Sequence, residues 1–359
     1  MKKVLLTFIL SVTALIATAQ NGITDVLAAG VGAATLYTES YITPAAEAFT
    51  YNQAAGWYND SRALDQWKFK VQIRANGTFS PDEERSFVLD PAQYEALIQE
   101  SYDERNIFGA DVTVTFQDGT QRPRRVATAL GTNDPDEFLV VNTQLDLFGV
   151  EEEFEIQLAQ GLGNAGLDLV PSAFLQAGVG LGFGLEAKVR YTPEIEVDEA
   201  RIQLLGGGLQ WQLSEVLDPE DKLPLEFSVL AAYTRIDALY DFEDGDLIEG
   251  TNQRLESDTN SYVFSAIVGT DYKVLNFYGG LNYVTGNTQT DVLGTYRAST
   301  TFSGFTLSQT FVDPISVESS VSSLVGTVGT KLSLGFFEIS ADYTLGAYDT
   351  ATAALNFKF

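Results

Sequence analysis

The chain has 359 residues, with 21 Lys and Arg against 49 Asp and Glu, a formal net charge of −28, and neither His nor Cys. That charge excludes nucleic acid as a partner, because phosphate backbones require cationic surfaces. The missing imidazole and thiol remove Ser-His-Asp and cysteine catalysis, zinc sites and disulfides, so neither an enzymatic activity nor a cofactor is expected.

The first residues read as an export signal. Lys2 and Lys3 precede the apolar residues 4–16, and Ala17-Thr18-Ala19 forms a small-residue cleavage site. Removal of residues 1–19 would leave 19 basic against 49 acidic side chains. Residues 20–66 are rich in small side chains and end in Gln53-Ala54-Ala55-Gly56-Trp57-Tyr58-Asn59. They carry too few charges for a solvated tail, and their longest nearly apolar run, 26–37, is too short to span a bilayer. A hatch or plug is expected here, held by Phe49, Gly56, Trp57 and Tyr58 and broken into short pieces at Pro44 and Gly56.

From Trp67 onward the pattern has period two, the signature of strands. Trp67, Phe69, Val71 and Ile73 alternate with Lys68, Lys70, Gln72 and Arg74. Residues 80–166 differ: 91–101 read as a short helix, and 112–116, 138–147 and 154–158 as short strands. They supply either two further wall strands or an insert at one rim. From residue 168 nine more strands can be placed. Phe183, Leu185, Ala187, Val189 and Tyr191 oppose Glu186, Lys188 and Arg190; Tyr262, Phe264, Ala266 and Val268 run to Tyr272 with polar residues between. Ten steps at ~3.3 Å, tilted, cover roughly 25 Å, the height of an outer-membrane apolar band. A soluble sandwich has shorter strands and rarely sets Lys, Arg and Glu in succession between apolar neighbours. The expected fold is all-β: a transmembrane antiparallel β-barrel over 67–359, of ten to fourteen strands with twelve preferred.

Taking Phe359 as periplasmic makes Gly182, residues 273–276 and 333–335 short periplasmic turns, and 192–199, 237–259 and 289–317 outward loops. Lys68, Lys70, Arg74, Glu186, Lys188, Arg190, Glu338, Asp342 and Lys358 are then lumen-lining, either as internal ion pairs or as a field that orients a solute. Residues 237–258 hold eight acidic side chains; Asp241, Glu243, Asp244, Asp246 and Glu249 are weak divalent candidates without EF-hand order, and no metal site is expected. Gly161-Leu162-Gly163-Asn164-Ala165-Gly166 matches a dinucleotide fingerprint, but no helix follows, so it reads as a turn.

Two resemblances rest on these residues. The final strand, ending in Phe359, resembles the terminal signal by which bacterial outer-membrane barrels engage their assembly machinery. Residues 52–57 and the plug-sized N-terminal segment resemble the long-chain fatty-acid channel family. The segments Gly56-Trp57-Tyr58-Asn59, Val170-Pro171-Ser172 to Gly180, and Val189-Arg190-Tyr191-Thr192-Pro193 resemble an uncharacterised Bacteroidota outer-membrane family. These imply a Gram-negative outer-membrane location, with lipid and lipopolysaccharide as surroundings and the assembly machinery as partner. The expected function is a passive channel for a small hydrophobic or amphipathic solute. The alternative is a structural or interaction barrel serving adhesion, secretion or surface assembly.

Overall fold

The computed structural model describes residues 26–27, 29–104, 110–134, 137–145, 150–197, 199–217, 225–242, 248–302 and 305–359. The expected export signal lies outside these residues.

A helix of 24 residues, Val31–Ala54, comes first, with Pro44 in its interior. The expected break at Pro44 does not occur. Proline removes one helical donor, but from Tyr41 onward most side chains of this helix, Pro44 among them, are buried, so packing overrides that loss. Strand β1 (Phe69–Phe79) follows, its side chains alternately exposed and shielded along its length. The chain then leaves the wall. β2 (Ser86–Leu89) and β3 (Ala110–Phe116) flank a helix, Pro91–Glu104, whose first turn is capped where Asp90 accepts the Ala92 N–H at 3.1 Å. β2 pairs with β4 (Arg124–Ala127); β3 joins β5 (Phe138–Leu145) and β6 (Val150–Gln157) in a separate sheet. Residues 162–165 form a single 3-10 turn closing on Gly166 at φ 73°, with no dinucleotide-type helix.

The wall resumes with β7 (Leu169–Gly182), β8 (Leu185–Val197), β9 (Ala200–Gln212) and β10 (Leu225–Asp241). It continues through β11 (Ile248–Thr270), β12 (Leu275–Phe302), β13 (Phe305–Val312) and β14 (Ile315–Leu334), and ends with β15 (Phe337–Leu345) and β16 (Thr350–Lys358). The order β11-β10-β9-β8-β7-β1-β16-β15-β14-β12 closes through the β11–β12 pairing, every neighbour antiparallel. The barrel therefore has ten strands. The preferred count of twelve fails because residues 80–166 pair among themselves, and β13 stays outside the ring on the end of β12.

Around this ring runs an exposed apolar band edged by aromatics. Trp67, Phe183, Trp211, Tyr272, Phe336 and Phe359 mark one edge, and Phe79, Tyr191, Tyr262, Tyr283 and Tyr343 the other. Two such girdles are what two membrane–water interfaces select. No described helix is long and apolar enough to cross a membrane. The tight turns at 183–184, 271–274 and 335–336 lie on the first edge. On the second edge, the segments read as outward loops are largely strand: β10 runs on to Asp241, β11 starts at Ile248, and β12 runs for 28 residues. At ~3.3 Å per residue and ordinary tilt, β12 rises roughly 70 Å against a band of ~25 Å. The wall on the β10–β14 side thus continues well beyond the band, whereas β15 and β16 have nine residues each.

Candidate functional site

The helix Val31–Ala54 enters from the long-hairpin side, where the Tyr41 O accepts the Ala129 N–H and the Tyr37 hydroxyl accepts the Ala159 N–H. Its C-terminal end lies inside the ring at the level of the band. There the last helical carbonyls, which lack helical donors, are met by the wall. Arg190 on β8 donates to Gln53 O at 2.7 Å and Ala55 O at 3.1 Å, and Asn76 on β1 donates to Asn52 O at 2.7 Å. The next residues are irregular, and their carbonyls also find wall donors: Gln176 and Lys188 reach Trp57 O, and Gln210 reaches Asp60 O and Ser61 O. Irregular backbone at membrane depth is tolerated only on such terms.

Packing follows the same path. Gly56 turns the chain at φ 74°, and a Cβ there would meet Thr352, Asn76 and Arg74 at 3.1–3.3 Å. The Trp57 ring lies over Gly206 and Gly208, where a Cβ would approach it to 3.1 Å, and under the Arg190 guanidinium at 4.1 Å. Phe174 takes another face of Arg190, at 3.9 Å. Tyr58 donates to Asn282 at 3.0 Å and sits against Gly280, and Asp60 is ion-paired with Lys331. At this level the lumen is filled.

Of the lumen charges expected from sequence, Lys70, Arg74, Glu186, Lys188, Arg190, Glu338 and Asp342 face inward and are buried. Glu186, 1 % exposed, binds Lys188 at 3.4 Å and Lys70 at 3.8 Å, and accepts the Leu64 N–H. Glu338 pairs with Lys331 at 3.7 Å, and Asp342 accepts the Tyr278 hydroxyl at 3.0 Å. These are local pairs and hydrogen bonds, not a field across an open pore. Lys68 precedes β1 and is exposed, and Lys358, the register partner of Lys70, is half-exposed at the end of β16.

Above the band the lumen changes character. A cleft of about 110 Å³ lies between the helix and the wall. Tyr41, Ile42, Ala45, Ala46 and Phe49 form its helix side; Ile202, Ile236, Ala238 and Leu255 form the wall, with Ser257, Thr259, Thr288 and Thr290 along one margin. Sequence reasoning placed Phe49 in the plug but missed the other lining residues. The readable signal was Ile236, Ala238 and Leu255, apolar at alternate positions in an otherwise acidic stretch. Of the divalent candidates, Asp241 accepts from Arg201 at 2.7 Å and Glu249 lies at the start of β11. Glu243, Asp244 and Asp246 lie outside the described residues. Among the described residues no cluster of three metal-capable side chains occurs.

The model of a family of unknown function (DUF6588) matches residues 1–359. No curated protein matches the chain. Among solved structures, the chain is similar to the translocator domain of the autotransporter NalP from Neisseria meningitidis, at 11% identity and TM-score 0.30, covering 90% of this chain and 99% of that one. It is also similar to Ail, the attachment invasion locus protein of Yersinia pestis, at 10% identity and TM-score 0.24, covering 82% and 99%. The transport unit of the autotransporter AIDA-I from Escherichia coli matches at 11% identity and TM-score 0.27, covering 88% and 98%.

Proposed function

Because the chain belongs to a family of unknown function (DUF6588), we propose its role from the geometry alone. It is an outer-membrane β-barrel of a Gram-negative bacterium that admits a small hydrophobic or amphipathic solute, with residues 31–62 as its plug. The observation that carries this reading is the apolar cleft, set inside the barrel on the long-hairpin side and directly above the filled level. Concave, mostly apolar sites with a few polar groups are what small-molecule binding requires. Onward passage then needs movement of the irregular segment around Trp57 and Tyr58, which the wall holds by hydrogen bonds and stacking.

The test is permeability of the reconstituted chain. Deleting residues 26–58, or forcing Tyr58 from its seat with Gly280→Leu, raises single-channel conductance and antibiotic entry while the barrel still shows heat-modifiable migration. If the deletion assembles normally and permeability is unchanged, the segment is no plug. The second reading, an interaction barrel, then takes its place. It is favoured by β13, which pairs with the end of β12 outside the closed ring.

A further inference from the structure

The cleft also carries a statement about which solutes it accepts, and this rests on the solute reading above. Three features bear on it. The first is charge. Around the cleft above the band, the described charged side chains fall on the outer parity: Arg201 on β9, Arg235, Asp237 and Asp241 on β10, Arg254, Glu256 and Asp258 on β11, Asp291 on β12. The inner parity holds Ile236, Ala238, Leu255, Ser257, Thr259, Thr288 and Thr290, and no charged residue lines the cleft. The lumen cations Lys188 and Arg190 are engaged below, with Glu186 and with the carbonyls of Gln53 and Ala55. A carboxylate entering the cleft would lose water and meet no counter-charge, which is strongly unfavourable.

The second feature is size. About 110 Å³ is on the scale of, and somewhat below, the ~150 Å³ of an apolar cavity that takes benzene, so the part of a solute held between helix and wall is about one ring. The third is the hydroxyl margin. Ser257 and Thr290 share a hydrogen bond at 3.1 Å, and Thr259 and Thr288 share one at 2.9 Å. Turned to each other, these hydroxyls leave the surface that a solute meets almost wholly apolar, so a solute needs no polar group to be held there.

We propose that the cleft binds an uncharged, single-ring apolar compound, seated between the apolar faces of the helix and the wall, and rejects the carboxylate of equal size.

The test uses the full chain in lipid nanodiscs, with 4-ethylphenol and 4-ethylbenzoate as probes in ligand-observed NMR titrations. 4-Ethylphenol is expected to bind, with the benzoate at least ~10-fold weaker. Ala46→Phe from the helix side and Ala238→Phe from the wall side each fill the cleft and weaken phenol binding at least ~10-fold. Heat-modifiable migration verifies assembly of both variants. If the benzoate binds as tightly as the phenol and both variants weaken the two alike, the cleft is a solute site but the class is wrong. If the assembled variants bind 4-ethylphenol as wild type does, or wild type binds neither probe, the solute reading itself falls. Recovery of a tightly held lipid from wild type but not from Ala46→Phe overturns the proposal in favour of an acyl chain.

Discussion

The outer face of the same strands is built to opposite rules at two heights. Within the band, β10 shows Leu225, Phe227, Val229, Ala231 and Tyr233 outward and Glu226, Ser228, Leu230, Ala232 and Thr234 inward; beyond it, Arg235 and Asp237 face out and Ile236, Ala238 and Tyr240 face in. On β11 the outer face likewise passes from Phe264 and Tyr262 to Asp258, Glu256 and Arg254, with the facing of the residues unchanged. The outer face follows the solvent: lipid below, water above. The inner face is mixed in the band, with Leu230, Ala232, Val263 and Ile267 among its buried residues, and its donors follow the backbone of the proposed plug. Where the plug is irregular or at a helix end, its carbonyls demand donors and the wall supplies Asn76, Gln176, Lys188, Arg190 and Gln210. Where the plug is helical its backbone is satisfied internally, so the wall facing it can be apolar. The difference teaches that lumen polarity here answers to the plug as much as to water.

The largest test removes a charge at each level. Glu186→Ala strands the buried Lys70 and Lys188 and is expected to cost about 3–5 kcal/mol, as breaking buried ion pairs does. Asp258→Ala, on the outer face above the band and already exposed, should stay within ~0.5 kcal/mol. Urea midpoints of the refolded barrel report both, and similar losses would erase the distinction between the levels.

The outer face is next. Ala187 points outward within the band, so Ala187→Arg is expected to cost ~2–4 kcal/mol if near the midplane, whereas Leu239→Arg, on the outer parity of β10 beside Arg201, should change stability by less than ~0.5 kcal/mol. Equal tolerance would move the upper edge of the band past Tyr233.

A smaller effect probes the donors. Gln210→Leu leaves the carbonyls of Asp60 and Ser61 without this buried donor, an expected loss of ~1–3 kcal/mol. Thr288→Val in the cleft removes one partner of a hydroxyl pair and should cost less. The reverse ranking would mean that the plug backbone does not set the polarity of the wall.

Legibility in the sequence followed the same division. Within the band, residues such as Phe183–Tyr191 and Phe337–Leu345 carry clean alternation, so the strands and their facing could be read directly. A search for apolar-outward strands stops where the outer face turns polar, after Thr234 on β10, and the extensions then read as acidic loops. The helix Val31–Ala54 escaped because it is enclosed nearly all round by helix, insert and wall, which leaves no apolar stripe to betray its period. Lys70 and Arg190 were legible as lumen residues, but their partners were not, since Glu186 and the Gln53 carbonyl come from segments far from them along the chain.

The smallest expected effect lies at the water side of the long-hairpin end, in the turn between β3 and β4. Asp118 accepts the Thr120 N–H at 3.0 Å and an Arg124 guanidinium hydrogen bond at 2.6 Å, while Arg124 lies 4.3 Å over the Phe116 ring. These donors, the Arg124 side chain first, hold the Asp118 carboxyl below the usual carboxylate range. Its contribution to order is therefore present above the unfolded-state value near 3.8 and is lost as pH falls through the lowered one. Solvent screens this surface pair, so the effect is confined to the turn. Hydrogen exchange at Gly119 and Thr120, corrected for intrinsic rates, should accelerate on acidification below that range, and Arg124→Ala should move the onset to higher pH. Exchange at the carbonyl-bound amides of β1 and β16 should stay unchanged over the same interval, because the band turns no such exposed pair to water. Acceleration of the β1 and β16 amides in step with the turn would show that protons reach the filled level as readily as the surface, and the contrast between the two heights would not hold.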